Sequence, residues 1–99
     1  MNDACLPGAT ALERDIAIVN KRGLHARASA KFVQLVSGYN ARVEVEKEGL
    51  RVDGGSILDL MMLAAAPGSA IRVIASGPEA ADVMAAIEML IAERFGEEA

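Results

Sequence analysis

The sequence predicts an α+β fold: an open-faced β-sandwich in which a four-stranded antiparallel sheet carries three helices on one face. Strand-like and helix-like patterns alternate along the chain in the order β-α-β-β-α-β-α. The chain has 99 residues, enough for one hydrophobic core but not for two. The loops between the patterns are short, so a sheet covered on one face would bury every apolar stripe.

The first half of this order consists of a strand, a helix and a hairpin. Residues 14–21 (RDIAIVNK) are short and β-branched, as in a strand. From Ala26 the apolar residues recur with helical spacing and stop before SGYN at 37–40. Residues 41–49 alternate apolar and charged side chains and lead through a glycine into LRVDGG, which predicts a β-hairpin.

The second half adds a helix, a strand and a last helix. Ser56 precedes Asp59 by three residues, a variant of the capping box, and predicts a helix that ends at the Pro-Gly pair at 67–68. The sequence SAIRVIASG predicts the fourth strand. Pro78 suits the start of a helix whose apolar spacing continues to Arg94 or Phe95.

Domain organisation follows from the same patterns. We predict a flexible N-terminal tail over residues 1–12 and a single domain over residues 13–99. The tail lacks the pattern of a signal peptide, and no stretch reaches the roughly 18 apolar residues of a membrane span. We therefore expect a cytoplasmic protein without membrane insertion. Cys5 is the only cysteine and shows no metal-ligand spacing. No metal site or cofactor motif is visible in the rest of the sequence, so we expect neither a metal nor a cofactor.

Charge is distributed unevenly, although the net charge is only −4. Residues 16–43 contain no Asp or Glu, whereas acidic residues outnumber basic ones after residue 43. His25, the only histidine, lies inside the acid-free segment. A solvated helix face would give a similar pattern, but the position of His25 favours an anion site. The basic residues of the segment are Lys21, Arg22, Arg27, Lys31 and Arg42.

His25 stands where the first helix needs a capping residue. Ser, Thr, Asp or Asn usually supplies the capping oxygen, and we expect histidine to cap poorly. The amides of Ala26 and Arg27 would then be unpaired and, with the helix dipole, would bind phosphate. The Arg27 guanidinium can bind phosphate oxygens through two N–H groups, and Gly23 suits the bend that exposes the ring. A phosphate carried by the His25 ring would complete this site.

Two segments resemble a known family. GLHARASA at 23–30 is similar to the active-site motif of the histidine-containing phosphocarrier (HPr) family of the phosphoenolpyruvate-dependent phosphotransferase system. GGSILDLMMLAA at 54–65 resembles that family's second signature, and the spacing and element order also agree over about residues 13–95. The resemblance implies that His25 is phosphorylated on a ring nitrogen, that Arg27 assists, and that Ser56 is a regulatory phosphorylation site.

The resemblance also implies the partners. Enzyme I would donate the phosphoryl group, an EIIA-type protein would accept it, and an HPr kinase/phosphorylase would act on Ser56. Such a carrier is a co-substrate without turnover of its own, and we expect a monomer. On the second helix, Leu60 and Leu63 would face the core, and the outer residues would dock partners. These docking residues are Ile57, Leu58 and Met61.

Four residues depart from the family pattern. Ala28 follows Arg27 where the family usually has proline, and Asp59 stands where a basic residue is common. Gln34 and Ser37 occupy first-helix positions that are often lysine. Because charge at a docking rim governs partner choice, sugar uptake and a nitrogen-related regulatory branch both remain open, and the departures favour the regulatory branch.

Two other classes of function compete with the carrier. A small RNA- or ligand-binding regulatory module can have the same βαββαβ order, but RNA readers of that shape stack bases on strand aromatics, which the predicted strands lack. An enzyme could use His25 as a general base, but it would need a second acid that the sequence does not reveal near His25.

Overall fold

The computed structural model of the chain describes residues 11–98. It confirms the predicted class and element order, while most of the predicted N-terminal tail, with Cys5, lies outside the described residues. None of the described helices combines the length and the apolar character that crossing a membrane requires. The elements are β1 (Leu12–Ala17), α1 (Ala26–Val36), β2 (Arg42–Lys47), β3 (Leu50–Asp53), α2 (Ile57–Met62), β4 (Ala70–Ser76), α3 (Ala80–Ala92) and a 3₁₀ segment (Arg94–Gly96).

The four strands form one sheet in the order β1-β4-β2-β3, and every neighbouring pair is antiparallel. Val45 in β2 pairs with Val52 in β3 and with Val73 in β4, and all three are buried. Side chains alternate between the two faces of a strand, so the next residues point to the other face, where Arg51 bonds to Glu46 at 3.2 Å. The sheet therefore has one apolar face and one charged face.

The three helices cover the apolar face and close the core. Phe32 of α1, Leu60 of α2 and Ile87 of α3 are each 0% exposed. Burying a side chain of this size contributes about 1.5–3 kcal/mol relative to exposure. The helical stripes predicted from the sequence thus meet in a single aliphatic core with two buried phenylalanines, Phe32 and Phe95.

The ends of β1 and of α2 differ from the predicted ones. β1 ends at Ala17, because Ile18 leaves the ladder and its amide donates to the Ser69 carbonyl at 2.8 Å. The predicted continuation of α2 to 67–68 is wrong, since the helix ends at Met62. Ala64 has φ of 51°, a left-handed conformation that stops the helix.

The last helix also ends earlier than its spacing predicts. α3 stops at Ala92, and Arg94, Phe95 and Gly96 have φ of 57°, 56° and 79°. Phe95 is 1% exposed, so its predicted burial is correct, but it reaches the core from a left-handed turn instead of a helix. A left-handed conformation costs a non-glycine residue about 1–2 kcal/mol. This turn sends the chain back toward the start of α1.

Candidate functional site at the start of the first helix

His25 is the N-cap residue of α1. Its backbone is extended, with φ of −79° and ψ of −176°, and its Nδ1 accepts a hydrogen bond from the Arg27 amide at 3.3 Å. The prediction that His25 leaves the Arg27 amide unpaired is therefore wrong, because a ring nitrogen supplies the lone pair that a capping oxygen normally supplies. Among the described residues, the backbone amide of Ala26 has no backbone acceptor.

The loop before His25 is fixed by Gly23. Its φ is 68°, and a Cβ atom there would lie 2.5 Å from the carbonyl oxygen of Ala65. The neighbouring Leu24 amide donates to that same carbonyl at 2.9 Å. Only glycine combines this conformation with this approach, so the sequence expectation of a bend at Gly23 is confirmed and the loop is tied to the segment after α2.

A carboxylate that the sequence reading missed lies against the His25 ring. Glu97 Oε2 contacts His25 Nε2, and the other carboxylate oxygen accepts a hydrogen bond from Asn20 Nδ2 at 3.0 Å. The side chains of His25 and Glu97 are 19% and 13% exposed. Glu97 is 72 residues away along the chain, and the only sequence signal for the reversal is the glycine at 96, a residue type common just after helices.

The partners of the two ring nitrogens assign the tautomer of His25. Nδ1 faces an amide N–H donor and so carries a lone pair, while Nε2 faces a carboxylate and so carries the proton. The neutral ring then presents an unprotonated Nδ1 at the positive end of α1. This is the form of imidazole that can attack phosphorus.

The charge state of Glu97 is set by opposing effects. Burial acts to raise the pKa of its carboxyl group, but hydrogen bonds from Asn20 and His25, together with nearby positive charge such as that of Arg22, outweigh burial. The net effect places the pKa of Glu97 below its ordinary value. The carboxylate is therefore ionised at neutral pH and available as an acceptor.

Asn20 connects this carboxylate to the glycine loop. It is 0% exposed, and its Nδ2 also donates to the Gly23 carbonyl at 2.8 Å. Both partners of Nδ2 are acceptors, which fixes the orientation of the amide and leaves Oδ1 buried without a partner. An orphaned buried acceptor costs about 1–3 kcal/mol, so the contact with Glu97 is retained at a cost in stability.

Basic side chains surround the site, as the charge pattern predicts. Lys21, Arg22 and Arg27 line a depression of about 320 Å³ together with Glu97 and Glu98. Arg27 is exposed and forms no ion pair with any described residue, so its guanidinium is free to bind an anion.

The other two basic residues of the acid-free segment lie elsewhere. Lys31 donates to the Phe95 carbonyl at 2.6 Å and thereby holds the left-handed turn. Arg42 lines a larger depression of about 480 Å³ at the β3 edge of the sheet, where Arg51, Asp53 and Asp59 also lie. The smaller depression is the one next to His25, because Glu97 lines it and contacts the imidazole ring, so the chemistry centres there.

Ser56 is the N-cap of α2, as predicted. Its Oγ accepts from the Asp59 amide at 3.2 Å, and the preceding turn is closed by Asp53 Oδ1, which accepts from the Gly55 amide at 2.8 Å. Asp59 Oδ2 accepts from the Asp53 amide at 3.4 Å. The second helix start thus already carries two carboxylates.

The outer face of α2 is apolar and exposed. Leu60 and Leu63 are buried, as predicted, and the predicted outward orientation of three residues on this helix is also confirmed. Met62, which the sequence reading did not single out, belongs to the same surface at 66% exposed. The predicted residues are Leu58 at 74%, Met61 at 41% and Ile57 at 38% exposed.

No group of three His, Cys, Asp or Glu side chains within residues 11–98 could hold a metal ion. The site brings together one imidazole, one helix start, one guanidinium and one carboxylate. Such a set can stabilise a phosphoryl group on nitrogen through amide and guanidinium donors.

Comparison with known proteins agrees with this geometry. Residues 12–93 match the family described as PTS HPr component phosphorylation site. A phosphocarrier protein HPr from Cupriavidus necator is 48% identical over 86 residues, which are 87% of this chain and 97% of that protein. A phosphocarrier protein HPr from Neisseria meningitidis serogroup A is 49% identical with the same coverage.

Solved structures show the same fold. The crystal structure of HPr-C-His from Thermoanaerobacter tengcongensis matches with a TM-score of 0.85 at 38% identity, covering 89% of this chain and 99% of that one. A phosphocarrier protein HPr from Bacillus anthracis matches with a TM-score of 0.80 at 30% identity, covering 83% and 98%.

Proposed function

The chain belongs to the HPr phosphocarrier family of the phosphotransferase system, and on that premise we propose that His25 accepts a phosphoryl group from phosphorylated Enzyme I and passes it to an EIIA-type protein. The observation that carries the proposal is the position of His25 Nδ1. It caps the start of α1, accepts through its lone pair and lies beside Arg27, which forms no ion pair with any residue from 11 to 98. A lone pair, an anion-binding helix end and a guanidinium are together what phosphoryl transfer needs.

The transfer step is an in-line displacement. The Nδ1 lone pair of His25 forms a bond to phosphorus, the bond from phosphorus to the nitrogen of the donor histidine breaks, and its electron pair returns to the donor ring. Once Nδ1 is phosphorylated, it no longer accepts from the Arg27 amide. That amide and the amide of Ala26 can then donate to phosphoryl oxygens, with the Arg27 guanidinium on the outer side.

The outer face of α2 supports partner docking. Ile57, Leu58 and Met61, joined by Met62, form an exposed apolar surface on a helix that packs against α1. Exposed apolar surface rimmed by polar residues is typical of protein interaction sites. We therefore infer that both Enzyme I and the EIIA-type acceptor contact this helix while their histidines approach His25.

Ser56 remains our candidate for regulatory phosphorylation by an HPr kinase/phosphorylase. A phosphate on Ser56 would displace the cap hydrogen bond from the Asp59 amide and would add charge beside Asp53 and Asp59. Like charges close together repel, so the phosphate would be directed away from the helix and toward docking partners. We expect weaker transfer from Enzyme I as the result.

We propose the nitrogen-related regulatory branch because of the charge at the docking rim. Asp59, Gln34 and Ser37 lower the positive charge that the family often carries there, which favours a regulatory EIIA over one that serves sugar uptake. The carrier would act as a monomer in the cytoplasm, where phosphoenolpyruvate is made. Phosphoryl transfer from the carrier to purified EIIA proteins of both kinds, measured side by side, decides between the branches.

The two competing classes are less well supported. The open face of the sheet carries ion pairs such as Arg72 with Asp15 at 3.0 Å, and its strands supply no aromatic ring for stacking on RNA. An enzyme that uses His25 as a general base would need a second acid, and Glu97 is an acid beside His25 that the sequence did not reveal. However, Glu97 contacts Nε2, so only Nδ1 could act as the base. Among the described residues, Nδ1 faces the Arg27 amide instead of a nucleophilic side chain.

The experiment that tests the proposal is phosphorylation by Enzyme I and phosphoenolpyruvate, followed by intact mass measurement before and after acid treatment. The wild-type chain should gain one acid-labile phosphate, and His25→Ala should gain none. Absence of acid-labile phosphate on the wild type, with active Enzyme I verified on another carrier, would refute the proposal.

A further inference from the structure

Glu97 reaches His25 through a turn that is held in a strained conformation. Arg94 and Phe95 adopt left-handed backbone angles that non-glycine residues avoid, with φ of 57° and 56°. Phe95 is buried in the core, Lys31 holds its carbonyl at 2.6 Å, and the Glu97 amide donates to the Arg94 carbonyl at 2.9 Å. Strained residues held by several independent contacts are common at functional sites.

Both carboxylate oxygens of Glu97 accept a hydrogen bond. Oε2 accepts from His25, and Oε1 accepts from Asn20, whose own orientation is fixed by the Gly23 carbonyl. A carboxylate held in this way cannot rotate away from the ring without breaking the bond to a fully buried amide. Glu97 also lies beyond residues 12–93, the part that matches the family, so family membership does not assign it a role.

The carboxylate does not occupy the place of the phosphate. It contacts Nε2, whereas the phosphoryl group of the proposed reaction binds Nδ1, the nitrogen that faces the first turn of α1. The two nitrogens lie on opposite sides of the imidazole ring. Glu97 therefore contacts the ring at the nitrogen that is not phosphorylated and does not compete with the incoming phosphoryl group.

We propose that Glu97 is a positioning residue that keeps the proton of His25 on Nε2 throughout the transfer cycle. The inference rests on the proposed function of His25. In the free carrier, the proton on Nε2 leaves Nδ1 with its lone pair. After attack, the ring carries phosphorus on Nδ1 and the proton on Nε2, and the carboxylate stabilises the positive charge of that ring.

The same arrangement serves the second transfer. When the acceptor nitrogen forms its bond to phosphorus, the bond to Nδ1 breaks and its electron pair stays on Nδ1. Because the proton has remained on Nε2, the departing ring is a neutral imidazole and no proton has to move. The carrier returns to the tautomer in which it began.

Nuclear magnetic resonance of the ring nitrogens tests the tautomer directly. His25 is the only histidine, so a ¹⁵N-labelled chain gives the signals of one imidazole. With the ring neutral, the wild type should show a protonated Nε2 and an unprotonated Nδ1. In Glu97→Ala the two ¹⁵N shifts should move toward each other as the tautomers mix, and in Glu97→Gln the change should be smaller, because the amide oxygen can still accept from Nε2.

Glu98→Ala is the matched control, since Glu98 has the same charge and lines the same depression, while the bond to Nε2 belongs to Glu97. With Enzyme I as donor, we expect Glu97→Ala to slow transfer about 10-fold, as loss of an orienting carboxylate does in other sites, and Glu98→Ala to retain the wild-type tautomer. Circular dichroism would verify that all variants are folded.

The outcomes separate this inference from the proposed function. Wild-type shifts that place the proton on Nδ1, or an unchanged tautomer in Glu97→Ala, would overturn the role of Glu97 even if the chain is a competent carrier. A tautomer that shifts in Glu97→Ala but not in Glu98→Ala supports it. If that shift occurs but the wild type takes up no phosphate, the carrier proposal fails and control of the tautomer by Glu97 stands.

Discussion

The chain has two helix starts that are built alike and charged oppositely. Both have a side chain as N-cap: His25 accepts from the Arg27 amide, and Ser56 accepts from the Asp59 amide. Around the first lie Lys21, Arg22 and Arg27, and the nearby carboxylate of Glu97 binds the far side of the ring. Around the second, the carboxylates of Asp53 and Asp59 already accept from backbone amides.

The difference shows that a helix dipole alone does not define a phosphate site. Both starts offer the same backbone donors, but only the start of α1 has an imidazole as its cap and, among residues 11–98, cations without ion-pair partners around it. At α2 the negative charge that the helix start attracts is supplied by the chain itself. The first start is thus suited to binding the phosphoryl group on its cap, whereas a phosphate on Ser56 would lie beside the carboxylates of Asp53 and Asp59.

Of the substitutions that test this difference, Gly23→Ala in the loop before His25 should have the largest effect. The new Cβ would lie 2.5 Å from the Ala65 carbonyl, in a conformation that alanine avoids, so we expect a loss of about 3 kcal/mol in the free energy of unfolding. Gly49→Ala is the control, because Gly49 has φ of 87° but no atom within 4 Å of the added Cβ. It should lose only about 1–2 kcal/mol. Urea titration measures both, and equal losses would contradict the close packing of the His25 loop.

Arg27→Ala tests the free guanidinium of the first start. We expect transfer from Enzyme I to fall about 100-fold, equivalent to about 2.7 kcal/mol, because a donor to the transferring group is lost. The melting temperature should stay unchanged, since Arg27 has no ion-pair partner among the described residues. Rapid-quench kinetics measures the effect, and wild-type rates in both directions would remove the proposed role of Arg27.

Leu58→Asp tests the docking surface beside the second start. Leu58 is 74% exposed, so the fold should tolerate the change, while affinity for Enzyme I should fall about 10-fold, equivalent to about 1.4 kcal/mol. Met89→Asp on α3 is a matched control at 63% exposed, and it should bind as the wild type does. Calorimetric titration with Enzyme I compares them. Equal affinities for the two variants would argue that docking lies elsewhere.

Ser56→Ala has the smallest expected effect, a loss of about 1 kcal/mol in the free energy of unfolding from the missing cap of α2. Ser56→Asp keeps a cap and adds charge, so it should be more stable than Ser56→Ala while it slows transfer from Enzyme I. Thermal unfolding and the transfer assay separate the two effects. Identical transfer rates for Ser56→Asp and the wild type would count against regulation at this position.

The fold could be predicted because each helix and strand is specified by residues that lie close together in the sequence. Apolar spacing gave the element order, and the spacing of Ser56 and Asp59 gave the cap of α2, since a serine oxygen is the usual capping group. The end of α2 was predicted too late because Ala64 adopts a left-handed conformation that alanine rarely adopts. The segment after that helix is held by a tertiary contact, the hydrogen bond from the Leu24 amide to the Ala65 carbonyl at 2.9 Å, which local preferences do not reveal.

The site could be predicted only in part. His25, Arg27 and the basic surroundings lie close together in the sequence, and their proximity survives in the structure. The cap made by Nδ1 was missed because capping preferences describe side-chain oxygens, and the acceptor role of a ring nitrogen depends on how the Gly23 loop orients the ring. Glu97 was missed because two successive left-handed residues, which spacing cannot reveal, bring it to the ring.

The central claim is that the phosphoryl group is carried by the capping nitrogen of α1. The most direct measurement is ¹⁵N and ³¹P spectroscopy of the ¹⁵N-labelled chain after phosphorylation by Enzyme I and phosphoenolpyruvate, in which coupling to phosphorus identifies the bonded nitrogen. We predict that Nδ1 of His25 shows this coupling and that Nε2 remains the nitrogen facing Glu97. Coupling at Nε2, or a phosphate on any other side chain, would contradict the account.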